Sequence, residues 1–364
     1  MNDLFVRIAE MLERGDRLDF EGGLALYQSD DLLRLGQLAE RVTLSRHRRN
    51  VYYSINRHIN YTNICTMQCD FCGFSRRPGH EEGYVMSVDE VVSQAEEACR
   101  AGASEIHIVG GVHPDLPFEY YWEMIERIGT TCPGLHIKAF TAVEIIDLAH
   151  KCGQSVEKTL TILMDLGLGS LPGGGAEILC DEYFKSVCSR KPGPALWLEV
   201  HATAHRLGLM TNATMLYGYR ETLADRVNHL LKLRALQDHS LKHYRGRFQC
   251  FVPLPFLSPG GSGSNHNTNA LNDLRNIAVA RLMLDNFDHI KAFWPMLGVK
   301  LAQVALCFGA NDLDGTVQQY HIVEKSPSAD NVTESLSAED LQALIGEADR
   351  IPVRRNGRYQ SLQE

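Results

Sequence analysis

No run of the 364 residues approaches the roughly 18 consecutive apolar residues that a membrane-spanning helix needs. The opening segment, MNDLFVRIAEMLERGDRLDF, is charged throughout and lacks the apolar stretch of a secretory signal, so a cytoplasmic protein is expected. Basic excess is missing too: 36 Lys and Arg face 45 Asp and Glu, a net charge of −9. Nucleic acids and anionic membranes select basic surfaces, so neither is an expected partner. With 44% hydrophobic and 22% charged residues, composition is ordinary for a globular chain and excludes extensive disorder or a coiled coil. The length suits two domains of about 150 residues, although α/β barrels routinely run larger as one unit.

Cysteine is not scarce. There are ten, and in a cytosolic chain of this size disulfides are not expected. Cys99, Cys132, Cys152, Cys180, Cys188, Cys250 and Cys307 are scattered and read as small buried hydrophobes. Cys65, Cys69 and Cys72 fall within eight residues and are treated separately below.

The first 50 residues have apolar spacing of period 3.6 in LFVRIAEML and, after a cap at Ser29 and Asp30, in DDLLRLGQLAERV. A helical lead-in over 1–50 is expected. From about residue 51, short apolar runs alternate with amphipathic helices. The expected strands are 59–64, 105–109, 136–140, 170–171, 210–216, 247–254, 289–296 and 303–308. Eight βα units imply a parallel sheet with right-handed crossovers, closed as a (β/α)8 barrel over 51–325. Residues 326–364 are expected to form one helix, SAEDLQALIGEADR with Ser337 as its cap and Asp340 at its third position, and then a tail. The Gly- and Ser-rich stretch 253–270 follows a strand, which places it at the catalytic face or makes it a plain surface loop.

The segment NICTMQCDFCGF sets Cys65, Cys69 and Cys72 in a C-x3-C-x2-C spacing after the first strand. Three thiolates on one loop select a soft metal. Structural zinc and ferredoxin-type sites need a fourth ligand, and no second C-x2-C or His pair follows. Three cysteines instead suit a [4Fe–4S] cluster with one iron open to a ligand. A zinc-binding barrel without catalysis is the alternative from another class.

With Phe71 just before its last cysteine, this motif resembles the signature of the radical S-adenosylmethionine (SAM) superfamily. The resemblance implies that the open iron binds the methionine end of SAM and that reduction releases a 5′-deoxyadenosyl radical. It also implies SAM contacts elsewhere. Gly110 and Gly111, ending IHIVGG, would meet the amino group. Glu177 in PGGGAEI would meet the ribose. Glu221 in GYRET, with Gly218, would lie on the adenine side, and Asn212 and Thr214, on one parity of the fifth strand, are candidate SAM contacts.

PGGGAEI, AHRLGLMTNATMLYG, LRALQD and GANDLDGT further resemble the group of aminofutalosine synthases, cyclic dehypoxanthine futalosine synthases and F0 synthase subunits. KAFTAVEI, EIHIVGGVHPDLPFEYY and RLMLDNFDHIKAFWPMLG resemble the aminofutalosine synthase family of menaquinone formation. That family adds the adenosyl radical to 3-[(1-carboxyvinyl)oxy]benzoate, an enolpyruvyl benzoate, so SAM is a substrate. A flavodoxin or ferredoxin would supply the electron, and a homodimer is one allowed assembly.

A dianionic aromatic substrate calls for cations or donors in an apolar pocket. Lys138 ends a strand and is placed to pair a carboxylate, the alternative being a surface lysine. His289 and Lys291 alternate along a strand and so face one way. Asp312 and Asp314 follow the last strand, for the ribose, for acid–base work or for a turn. His201 and His205 share a helix face and are read as packing groups. GYRET stands where the resemblance suggests GHIET, and Gln318 with Gln319 where it suggests an acidic pair.

Overall fold

The structure is a computed structural model, and it describes residues 4–257, 268–318 and 335–362. The loop at 258–267, much of the segment around 326 and Gln319 lie outside the described residues.

Three helices, Leu4–Glu13, Phe20–Gln28 and Leu32–His47, form the lead-in. Asp31 caps the third by accepting from the Arg34 N–H, one or two residues beyond the expected caps. This helix packs on Ala270–Met283, and a Cβ at Gly36 would sit 2.6 Å from the Phe308 ring. The strands that follow are β1 (Asn50–Ser54), β2 (Asn56–Ile59), β3 (Glu105–Ile108), β4 (His136–Ala139), β5 (Leu168–Leu171), β6 (Met210–Tyr217), β7 (Phe248–Pro255), β8 (His289–Ile290), β9 (Asp312–Gly315) and β10 (Ile351–Arg354).

Strands β2 to β8 pair in sequence order, every pair parallel. A second parallel sheet runs β10-β1-β9. Single parallel bridges, Lys291 with Asp312 and Arg57 with Gln318, join the β9 segment to both open edges of the larger sheet. The result is a barrel of eight staves, β2 to β9, with helices outside. Because both sheet faces are covered, β6 and β7 are buried along nearly their whole length. Helices start where the sequence caps them: Ser87 with Glu90, Thr141 with Glu144, Thr222 with Asp225 and Ser337 with Asp340 each form a reciprocal capping box.

Several expected boundaries are corrected. The run 303–308 lies in and after the helix Val299–Ala305, and the eighth stave is Asp312–Gly315. A short apolar run does not distinguish strand from buried helix by period alone. Gly298 and Gly309, both at positive φ, bracket the helical segment. The first stave is Asn56–Ile59, not 59–64, because side chains of Asn60, Thr62 and Asn63 bond the carbonyls of Val109, Tyr84 and Glu82 and peel the chain away. Of 289–296 only His289–Ile290 is strand, since Trp294–Leu297 turns into a helix. The expected helix at 338 is present, but the chain does not then trail off. Strand β10 pairs with β1, and Arg355 is fully buried.

Candidate active site

The cysteine loop leaves the C-terminal end of β2 and is tied to the barrel by its backbone. Cys65 N donates to Arg76 O at 2.9 Å, Thr66 N to Val112 O at 3.0 Å and Asp70 N to Val187 O at 3.0 Å. Gln68 takes a left-handed φ of 47° inside the loop. The three thiols are partly buried and free. Burial pushes the Cys65 thiol up, and its two neighbouring cysteines push it the same way. Contact with Cys188 and then burial push Cys69 well up, while the same contact lowers Cys188.

Gly110 and Gly111 lie beneath this loop. A Cβ at Gly111 would fall 2.9 Å from Cys65 Cβ, and one at Gly110 would fall 2.6 Å from the Tyr61 ring. Only glycine lets β3's end approach so closely. Their N–H groups are taken up inside the protein, Gly110 by Glu144 Oε1 at 3.0 Å and Gly111 by Thr62 O at 2.8 Å. Glu144 also accepts from Tyr61 Oη at 2.7 Å and from the Thr141 N–H and hydroxyl, both at 2.7 Å. Burial pushes its carboxyl up, against those donors. Sequence reading missed it, although Thr141 three residues earlier signals a capping box.

The PGGGAEI loop follows β5. Gly173 presses on the backbone of Ala213 in β6, and the Thr214 hydroxyl donates to Gly173 O at 2.7 Å. Glu177, at φ 40°, is ion-paired with Lys191. The Lys191 ammonium lies 5.9 Å from the Phe71 ring centroid and 5.8 Å from that of Phe184. Phe71, Glu177 and Cys69 are therefore brought together through Lys191 and Cys188, neither of which had a sequence signal. Asn212 is buried, and its Oδ1 has no protein partner.

Glu221 is consumed by its own loop. It accepts from Gly218 N at 2.6 Å, Tyr219 N at 3.0 Å and both Arg226 Nε at 2.9 Å and Nη2 at 2.6 Å. The unusual pair beside it reaches the cysteine loop. Tyr219 meets Phe71 edge to face at 6.2 Å, and Arg220 lies 3.6 Å from Asp70.

Inside the barrel, Lys138, Asp312 and Asp314 converge in one buried network with Glu105, Lys291 and Arg355. Lys138 Nζ donates to Glu105 at 2.7 Å, Arg355 Nε to Asp312 at 2.7 Å, and Lys291 pairs with Asp314. Three carboxylates thus balance three cations. Burial alone would raise Glu105 and Asp314, but Lys138 and Arg355 hold the first, and Lys291 and His58 the second, well below the ordinary carboxylate range. The His58 and His107 rings meet at 4.5 Å, tilted by 54°, and His107 is driven far down by burial and by His58. His289 stacks on Tyr359 at 4.2 Å and meets Tyr52 edge to face at 4.8 Å, and burial keeps it neutral. His201 stacks on Trp197 at 3.9 Å, and His205 spans Ser240 at 2.7 Å and Thr211 at 2.8 Å, so both pack as expected.

A three-cysteine loop seated on the C-terminal mouth of a parallel barrel defines an enzyme class, the radical SAM enzymes. The comparisons agree. The model of the radical SAM superfamily matches residues 59–233, and that of the CofH/MqnC C-terminal region matches 246–364. An aminodeoxyfutalosine synthase from Thermus thermophilus is 41% identical over 363 residues, covering 98% of this chain and 96% of the relative. One from Streptomyces coelicolor is 39% identical, covering 98% and 94%. A 5-amino-6-(D-ribitylamino)uracil–L-tyrosine 4-hydroxyphenyl transferase from Archaeoglobus fulgidus is 37% identical, covering 86% and 89%. The crystal structure of methylornithine synthase superposes with a TM-score of 0.75 at 17% identity, over 95% of this chain and 97% of that one, and shows the shared fold. The chain belongs to the radical SAM superfamily, in the family that holds the aminodeoxyfutalosine synthases and their CofH/MqnC relatives.

The superfamily works with a [4Fe–4S] cluster and SAM. Among the described residues, no three His, Cys, Asp or Glu side chains already converge as a metal cage. The fit rests on the donor set: three free, partly buried thiols on one loop, held at the barrel mouth against Gly111. No helix among the described residues is long and apolar enough to cross a membrane.

Proposed function

We propose that this chain is a transferase that joins the 5′-deoxyadenosyl group of SAM to the enol-ether carbon of 3-[(1-carboxyvinyl)oxy]benzoate, giving 6-amino-6-deoxyfutalosine with loss of CO2 or bicarbonate. The observation that carries it is the 41% identity to an aminodeoxyfutalosine synthase across 98% of the chain, cysteine loop included. Cys65, Cys69 and Cys72 would hold the cluster. When bound, the cluster supplies the electron that cleaves SAM, itself delivered by a flavodoxin- or ferredoxin-type donor. Gly110 and Gly111 let the loop sit close to β3, and Phe71, braced by Lys191 and Tyr219, walls the SAM side.

The lumen then receives the substrate. Lys138 and Lys291 are already neutralised by Glu105 and Asp314, so Lys138, Asp312 and Asp314 act by keeping the lumen's charge balanced. Asn212 Oδ1 and His107 Nε2 are among the buried polar atoms of the described residues that have no protein partner. A neutral His107 donates to a substrate carboxylate without adding a buried charge. His289 contributes a neutral wall. A homodimer is compatible with this scheme and not required by it.

The test is an anaerobic turnover of reconstituted protein with dithionite, SAM and the enolpyruvyl benzoate, read by mass spectrometry. An adduct carrying the adenosyl group supports the proposal. Free 5′-deoxyadenosine without an adduct sinks the substrate assignment and points to hydrogen abstraction, as in the cyclase or F0-forming enzymes. Zinc with no SAM cleavage would support the non-catalytic barrel.

A further inference from the structure

We propose that Glu144 is a positioning residue for SAM: its one buried carboxylate locks the Gly110–Gly111 turn against the start of the cysteine loop, and tight SAM binding depends on that lock. This rests on the reading of Cys65, Cys69 and Cys72 as cluster ligands and of the glycine turn as facing SAM. Three elements around the loop meet on Glu144, which is 3% exposed. Its Oε1 accepts from Tyr61 Oη at 2.7 Å and from Gly110 N at 3.0 Å, and its Oε2 accepts from the Thr141 N–H and hydroxyl, both at 2.7 Å. Tyr61 stands four residues before Cys65, Gly110 ends β3, and Thr141 caps the helix Ala142–Lys151. The helix needs Oε2 alone for its capping box. Glu90 and Asp340, the acids of the boxes at Ser87 and Ser337, are exposed, so such a box does not call for burial. Glutamine completes a capping box equally well but has a single acceptor oxygen, whereas a carboxylate serves donors on both sides. The acid at 144 is therefore explained by the turn and the loop, not by the helix.

The lock also aims the turn. Gly111 N donates to Thr62 O at 2.8 Å, and the peptide before it is trans, so Gly110 O points the opposite way from that N–H. With both glycine N–H groups engaged, the turn has carbonyl oxygen to offer, the partner that the ammonium group of SAM needs. The chain enters Thr141 through Phe140, a fully buried aromatic residue at φ 62°. A bulky side chain in the left-handed region is strained, and strain of this kind clusters at functional sites. Here it delivers Thr141 and Glu144 to the glycine turn.

The experiment compares wild type, Glu144→Gln, Tyr61→Phe and Ser337→Ala, each reconstituted anaerobically. Iron and sulfide are counted per chain, the SAM dissociation constant is measured by equilibrium dialysis on the unreduced protein without turnover, and Tm is read by circular dichroism. The expected result is a normal cluster load in Glu144→Gln with SAM bound about tenfold more weakly. Tyr61→Phe keeps the ring, loses only the bond to Oε1, and weakens SAM binding about threefold. Ser337→Ala breaks a remote capping box, lowers Tm and leaves SAM affinity unchanged, which separates loss of stability from loss of the lock. A loaded Glu144→Gln that binds SAM as wild type does overturns the proposal, and so does SAM affinity in Ser337→Ala that falls in step with its Tm. If Glu144→Gln takes up no cluster, Tyr61→Phe decides: a normal load with weakened SAM binding supports the proposal, and unchanged binding or failure to load overturns it in favour of a role in folding the loop. Wild type that loads no cluster or binds no SAM would overturn the underlying reading instead.

Discussion

Arg355 lies in the barrel interior, fully buried and far in sequence from the groups it serves. Its Nε donates to Asp312 at 2.7 Å, its Nη1 lies 3.7 Å from Glu105, and its guanidinium covers Tyr359 at 4.0 Å. Replacing Arg355 with Met keeps most of the volume and removes one of the three buried cations, leaving Glu105, Asp312 and Asp314 opposed by Lys138 and Lys291 alone. Breaking a buried pair from one side costs about 3–5 kcal/mol. With unfolding entropy of about 2.1 cal/mol/K per residue, a cost of about 4 kcal/mol lowers the Tm of a chain this long by about 5 °C. The assay is thermal unfolding by circular dichroism at pH 7. Arg355→Met with Asp312→Asn removes both members of the pair and should lose markedly less than the sum of the single variants. A Tm for Arg355→Met within a degree of wild type, or a strictly additive double variant, would refute the charge-balance account.

The same network predicts a pH dependence. Glu105 and Asp314 are held below their ordinary range, so in the folded state they resist protonation. Their stabilisation is complete above the unfolded carboxylate pKa of about 4 and is lost as pH falls below it. Urea midpoints should therefore drop steeply below about pH 4.5, and less steeply in Arg355→Met. Gly111→Ala places a Cβ 2.9 Å from Cys65 Cβ and should lower iron loading along with about 1–3 kcal/mol of stability, measured by iron count and urea unfolding. Cys65→Ala, Cys69→Ala or Cys72→Ala should each abolish the brown absorbance and SAM cleavage while leaving the far-UV spectrum intact, because these thiols are only partly buried. Arg220→Ala removes an exposed contact to Asp70 and should change stability by less than about 1 kcal/mol, checked by urea unfolding.

What the sequence determined by itself is what depends on local pattern. The C-x3-C-x2-C loop, the alternation of strands and helices and the Ser337 cap are each written within a few residues, so they were legible without a fold. The family resemblance was legible for the same reason, since PGGGAEI and its companions are contiguous. Tertiary structure decided the rest because it joins residues that the chain separates. The last stave is Asp312–Gly315 and not 303–308, since only closure against β8 and β2 selects between two short runs. Lys138 and Asp314 carry buried charge only because Glu105, Lys291 and Arg355 come to meet them, the last from a segment read as a tail. Cys188 had no motif to mark it, and it gained its place at the cluster loop from where one helix happens to end. Electrostatic partners are chosen by distance in space, and a single sequence does not print that distance.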